Sequence, residues 1–201
     1  MINFDEIKNK IVGDDCFFCI GTIRSSTPNE EEYTRIEYDI PVVIAKIAKS
    51  LGMIIHYHNR SKLNEDKEQG AIYHDSLKSL LSVSDVLSIC CPATKETENM
   101  INKETVEYFP KGAVITNVAR GDIIDDDALI DALNRRKIYA VGLDVYKNEP
   151  NLNKGYYKHK SAFILPHLGS ATKETRTAMA NLAIDNLDEY FKTGNCKNKV
   201  N

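Results

Sequence analysis

The chain has 201 residues, 42% of them hydrophobic and 27% charged, with a formal net charge of −3. That suits one sizeable globular domain with a small appendage. Charges of both signs are interspersed, so nothing points to nucleic acid, and Lys46 interrupts the apolar run "VVIAKIA", so no stretch reads as a membrane span. The opening "MINFDEIKNK" lacks the apolar core of a signal peptide, which places the expected location in the cytoplasm, with an organelle left open.

In chain order, "FDEIKNKI" is weakly helical and "CFFCIG" is a plausible buried strand. "RSSTPNEEEYTRIEYD" is polar and turn-rich, so residues 22–39 are expected to be irregular and exposed. From residue 41 helix and strand alternate. "VVIAKIAKSLG" has a helical period and Gly52 as its stop, and "MIIHYH" is a short strand. "DSLKSLLSVS" reads as a helix opened by Asp75, and "DVLSICC" as the next strand. "KETVEYF" is a short helix closed by Pro110, and "AVITNV" is a strand rich in β-branched residues. "DDDALIDALNRRK" is a helix with acids first and bases last, matching the helix dipole. "YAVGLDV" and "AFILP" are strands, and "TKETRTAMANLAIDNLDEYFKTG" is a long amphipathic helix ending at Gly194. Apolar strands separated by helices imply a parallel sheet covered on both faces, an α/β domain of the Rossmann type. The expected division is an irregular segment over 1–40, the nucleotide-binding domain over 41–195 and a tail over 196–201.

Five cysteines are scattered along the chain, and only Cys16 and Cys19 form a C-x-x-C. Zinc or redox chemistry there competes with a plainer reading, two small apolar side chains in the run "CFFCI". No second C-x-x-C completes a zinc site, and no metal is expected.

The chemistry lies in "TNVARGDIIDDDAL", "GLDVYKNEP" and "LPHLGSATKETRTAM", each at the carboxyl end of an expected strand, where open α/β sheets place their sites. They hold Arg120, Glu149 and His167. Each alone could be a solvated charge or a satisfied turn histidine. Together they resemble the cofactor-binding domain of the D-isomer-specific 2-hydroxyacid dehydrogenases, nearest the glyoxylate/hydroxypyruvate reductase branch through "HYHNRSKL" and "LPHLGSATKETRTAM". The resemblance covers residues 42–195. It implies a catalytic set of Arg120, Glu149 and His167, and reduction of a 2-oxo acid such as glyoxylate or hydroxypyruvate by hydride transfer. It also implies cofactor contacts at Asn59, Arg60, Ser61, Cys91, Pro92, Thr97, Val118, Ala119, Arg120, Asp144, His167, Gly169 and Ser170, with Asp144 at the nicotinamide end. For Cys91 a packing role after a buried strand is an equal alternative. A homodimer is compatible with the resemblance.

The residue types suit that reaction. Imidazole titrates near neutral pH, so His167 can hand a proton to the carbonyl oxygen. Glu149 would hold its other ring nitrogen and favour the imidazolium. The Arg120 fork suits a substrate carboxylate. After the strand "MIIHYH" the chain offers Asn59, Arg60 and Ser61 and no acid, which favours NADP(H) over NAD(H), because an acid there would bind a ribose hydroxyl and an Arg a 2′-phosphate.

Two departures stand beside the resemblance. The family's G-x-G-x-x-G falls on Ile36, Glu37, Tyr38, Asp39, Ile40 and Pro41, and all three glycines are replaced. The first strand is missing just before it. "CFFCI" could fill that slot, with Gly21 at the first glycine position. Alternatively, "FDEIKNKIVGDDCFFCIGT" is a remnant of the family's substrate domain, most of which the chain lacks. A catalytically inactive remnant or interaction module is therefore the alternative function.

Overall fold

The computed structural model describes residues 15–20 and 40–199. Seven parallel strands form one sheet: β1 (Asp15–Ile20), β2 (Ile54–Tyr57), β3 (Ile72–Tyr73), β4 (Val86–Cys90), β5 (Ala113–Asn117), β6 (Ile138–Leu143) and β7 (Ala162–Ile164). Their spatial order is β3-β2-β1-β4-β5-β6-β7. The order reverses at β1, so a crevice opens beyond the carboxyl ends of β1 and β4.

The alternatives for "CFFCI" are resolved by its pairing. Asp15 to Phe18 run beside Ile54 to Tyr57, and Cys16 to Ile20 run beside Val86 to Cys90. The segment is the central strand. A sheet without it would leave two rows of backbone groups unpaired, at a cost that no other apolar run in the chain could remove. The expectations for "FDEIKNKI", for residues 22–39 and for the first four positions of the glycine motif lie outside the described residues.

Among the described residues four helices lie between strands, α1 (Ile40–Ser50), α2 (Glu65–Glu68), α3 (Leu77–Leu81) and α4 (Asp126–Asn134), and α5 (Lys173–Thr193) follows β7. Residues Ile40 and Pro41, the last two positions of the displaced glycine motif, begin α1. Proline is tolerated there because a first-turn N–H has no intrahelical partner. Helix α3 is opened by Ser76, whose side chain accepts from Ser79 N–H, and not by Asp75 as its acid suggested. "KETVEYF" yields only a 3₁₀ turn over Thr105–Tyr108. Asp125 caps α4 by accepting from Asp127 and Ala128 N–H, and its bases fall at and just past the C-cap, from Arg135 on. The short strand β3 and the single turn α2 had no clear periodic signal.

Right-handed crossovers running in opposite directions from β1 place α1 on one face of the sheet and α3 and α4 on the other. The main core lies on the second face. Leu87, Ile89, Ile115, Val141 and Leu143 alternate inward from β4, β5 and β6 and meet Leu80, Leu81, Leu129 and Leu133. A smaller cluster of Ala48, Met53 and Ile55 sits under α1. Helix α5 contributes to neither: none of its residues is buried, and Met179, Leu182, Ile184, Leu187, Tyr190 and Phe191 stay exposed. Amphipathic spacing alone did not bury it, because an apolar stripe is covered only when another surface meets it.

Candidate active site

Three loops converge at the carboxyl ends of β5, β6 and β7. The first follows β5. Asn117, fully buried, donates from Nδ2 to the Arg120 carbonyl (2.8 Å) and accepts Ala119 N–H at Oδ1 (3.0 Å). This turn presents Arg120, whose exposed guanidinium donates to the Ala119 carbonyl (2.6 Å). Gly121 then lies against the loop after β6. A Cβ there would stand 1.9 Å from the Tyr146 carbonyl carbon and 2.2 Å from Lys147 N, so only glycine permits the approach.

The second loop carries Glu149. Its Oε1 accepts Tyr146 N–H at 2.8 Å. The Tyr146 hydroxyl reaches the Leu143 and Leu165 carbonyls (2.8 and 2.7 Å), tying the ends of β6 and β7 together. The third loop carries His167. Its Nδ1 is 2.7 Å from Glu149 Oε2. Partial burial pushes the Glu149 carboxyl up, but the His167 and Tyr146 hydrogen bonds and the charges of His167 and Arg120 outweigh this, and the net direction is below the ordinary carboxylate value. Glu149 is therefore ionised at neutral pH and can only accept, so Nδ1 of His167 carries the proton of this bond. The engagement of Nδ1 leaves Nε2 for a reacting group.

His167 has φ +55°, a left-handed conformation uncommon for a residue with a Cβ. Its two successors explain how it is held. Asp144, buried at the end of β6, accepts Leu168 N–H at Oδ1 (2.7 Å) and Gly169 N–H at Oδ2 (2.9 Å). Both oxygens of the residue expected at the nicotinamide end are thus engaged with the backbone of the histidine loop.

On the other bank, Tyr57 ends β2. Its buried hydroxyl accepts Leu63 N–H (3.0 Å) and donates to Glu68 Oε1 (2.5 Å), so the intervening loop with Asn59, Arg60 and Ser61 is closed at its base. Burial, with the Glu68 contact, pushes this phenol up to about 12. Arg60 is exposed; its N–H donates to Asn59 Oδ1 (2.9 Å) and its charge reaches Glu96. Cys91 is buried at the end of β4. Thr97 donates to the Pro92 carbonyl (2.7 Å) and accepts Thr94 N–H (2.8 Å), which shapes the loop after β4. Val118 is exposed, Ala119 and Ser170 are half-buried and Gly169 is exposed. A dinucleotide fits what is described: Arg60 and the Pro92–Thr97 loop stand at one end of the crevice, and the Arg120, Glu149 and His167 loops stand at the other. Among the described residues no cluster of three metal-ligating side chains occurs, and no helix is long and apolar enough to cross a membrane.

Asn117, Gly121 and Tyr146 were not singled out from the sequence. The signals were small: a polar residue ending the apolar strand "AVITN", and a glycine directly after Arg120.

A parallel sheet with a switch point and loops gathered at its carboxyl edge is the architecture of a nucleotide-binding α/β domain. Residues 39–169 match the model of the D-isomer specific 2-hydroxyacid dehydrogenase NAD binding domain, and the chain belongs to this family. It is 40% identical over 150 residues to the glycerate dehydrogenase of Hyphomicrobium methylovorum, covering 74% of this chain and 47% of that protein. It is 42% identical over 152 residues to the glyoxylate reductase of Thermococcus kodakarensis, covering 75% and 45%. The NADPH-dependent glyoxylate/hydroxypyruvate reductase of Sinorhizobium meliloti, solved with NADP and malonate, superposes with a TM-score of 0.74 at 30% identity, over 92% of this chain and 52% of that one. The chain thus spans about half the length of the curated relatives it matches.

Proposed function

We propose that this chain carries the reacting half of an NADP(H)-dependent reductase of small 2-oxo acids, of the glyoxylate or hydroxypyruvate type. The observation that carries the reading is the 2.7 Å contact of His167 Nδ1 with Glu149 beside Arg120. It leaves one ring nitrogen for chemistry and fixes the ring that bears it.

The bound nicotinamide would supply the hydride to the carbonyl carbon. His167 Nε2 gives its proton to the carbonyl oxygen as the C=O bond becomes an alcohol C–O. Glu149, held ionised, stabilises the ring while it is charged and keeps its orientation. Arg120 pairs with the substrate carboxylate through its planar fork. In the reverse direction the same nitrogen accepts the hydroxyl proton. Arg60 and Ser61, with no acid among the residues directly after β2, support a preference for the 2′-phosphate. Tyr38 and Pro41, where the family's second and third glycines align, favour the second reading, a member of the family that does not turn over.

The test is NADPH oxidation with glyoxylate and with hydroxypyruvate. His167→Ala should lower turnover about 10²–10⁴-fold, roughly 3–5 kcal/mol of barrier, while leaving cofactor binding intact. Full-rate turnover by the variant would remove His167 from the mechanism. Absence of turnover by the unmodified chain would favour the second reading.

A further inference from the structure

The arginine loop and the histidine loop are not anchored separately. Asn117 ends β5 and Asp144 follows β6, and the Asn117 carbonyl accepts Asp144 N–H at 3.0 Å. Asn117 then reaches forward, through Nδ2 to the Arg120 carbonyl and through Oδ1 to Ala119 N–H. Asp144 reaches forward, through both oxygens, to Leu168 and Gly169 N–H. One buried asparagine and one buried aspartate therefore stand back to back between the two loops. The contact of Gly121 with the Tyr146–Lys147 backbone closes the same joint from the other side.

We propose that Asn117 and Asp144 are positioning residues that yoke the two loops into one rigid unit, so that Arg120 and His167 keep a fixed separation without help from any other part of the protein. Three features favour a yoke over two independent turns. Both side chains are buried, where hydrogen bonds cannot be exchanged for water, so opening one loop strands polar atoms. Aspartate accepts two N–H groups at once, which holds the backbone after His167 in register and makes the left-handed conformation of His167 persist. The two residues are joined by a backbone hydrogen bond at the end of paired strands, so displacement of one is felt by the other. Neither residue needs to touch the substrate to act this way.

The inference rests on Arg120 and His167 being the reacting pair, but its test does not. Amide hydrogen exchange is read on the full chain without cofactor or substrate, in a series of low urea concentrations. In the unmodified protein Ala119, Asp144, Leu168 and Gly169 should open with one common free energy, as a single cooperative unit does. Clearly different values would overturn the yoke, and no variant is needed for that result. Asn117→Asp keeps the acceptor for Ala119 and loses the donor to the Arg120 carbonyl. It should speed exchange at Leu168 and Gly169 about tenfold or more while Ile89 and Ile115 stay protected. Asp144→Asn should speed exchange at Ala119 as well as at its own partners, and should move the His167 ring-nitrogen signals. Changes confined to the substituted residue's own loop would show two independent turns. Failure to reduce any 2-oxo acid would sink the proposed function and leave these readouts standing.

Discussion

The two banks of the crevice are held in opposite ways. On the bank of β5, β6 and β7 each functional residue stands on an anchored loop: Asn117 holds the Arg120 carbonyl, Tyr146 N–H holds the Glu149 carboxylate, and Asp144 holds the N–H groups that follow His167. On the bank of β2 the loop with Arg60 is closed at its base by Tyr57, and among the described residues Arg60 is hydrogen-bonded only to its neighbour Asn59, through its N–H. Between the banks, the chain that links β1 to α1 keeps Gly21 directly after β1 but has Tyr38 and Pro41 where the family's second and third phosphate glycines align. The lesson is that reaction geometry and cofactor retention are separable in this fold. The first is built from short contacts among three neighbouring loops. The second depends on one connection at the centre of the sheet.

The largest expected effect tests that separation directly. NADP(H) should bind about 10²–10⁴-fold more weakly than it does to a family member with all three glycines. The pyrophosphate would lose two or three charge-assisted hydrogen bonds of about 1.5–3 kcal/mol each, partly replaced by water. Glu37 and Asp39 would add repulsion where they lie near the phosphates. A fluorescence titration reads this, and micromolar or tighter binding would refute it and show that another backbone segment cradles the phosphates.

Gly121→Ala attacks the well-anchored bank. Its Cβ would fall on backbone atoms of Tyr146 and Lys147, which cannot step aside as a flexible side chain could. A loss of about 1–3 kcal/mol or more in urea unfolding is expected. A change below about 0.5 kcal/mol would mean that the two loops separate easily, and the contrast between the banks would collapse.

Arg60→Asp probes the looser bank. It should reduce or invert a preference for NADPH over NADH, by about tenfold in the ratio of affinities, roughly 1.4 kcal/mol. An unchanged ratio would remove Arg60 from cofactor choice. Arg60 is exposed and touches no core residue, so stability should move little, within about 0.5 kcal/mol.

The smallest effect is on pH. The folded-state carboxyl of Glu149 lies below its ordinary value of about 4.3. The stabilisation from its pairing is therefore fully present above that unfolded value and is lost as pH falls through the lower folded one. The His167 Nδ1–Glu149 contact should persist, by NMR of the ring nitrogens, as pH falls through the ordinary carboxylate range and fade only below it. Loss of the contact between pH 5 and 6 would mean that burial outweighs the hydrogen bonds and raises this carboxyl instead.

Much of this protein was legible in its residues. The alternation of apolar strands and helices from residue 41 follows from periodicity, which is local. Arg120, Glu149 and His167 could be named because the three stretches that hold them follow apolar strands and together resemble the family's signature; position alone left each readable as a solvated charge or a turn histidine. Tertiary structure decided what locality cannot. "CFFCI" has the same pattern whether it is a stray strand or the centre of the sheet, and only its pairing with β2 and β4 distinguishes them. Helix α5 has an amphipathic sequence and no buried residue, because burial needs a second surface. The left-handed His167 is set by Asp144, which is 23 positions earlier in the chain and beside it only once β6 and β7 are paired. Contacts of that kind arise from strands meeting in space, and no window of sequence contains both partners.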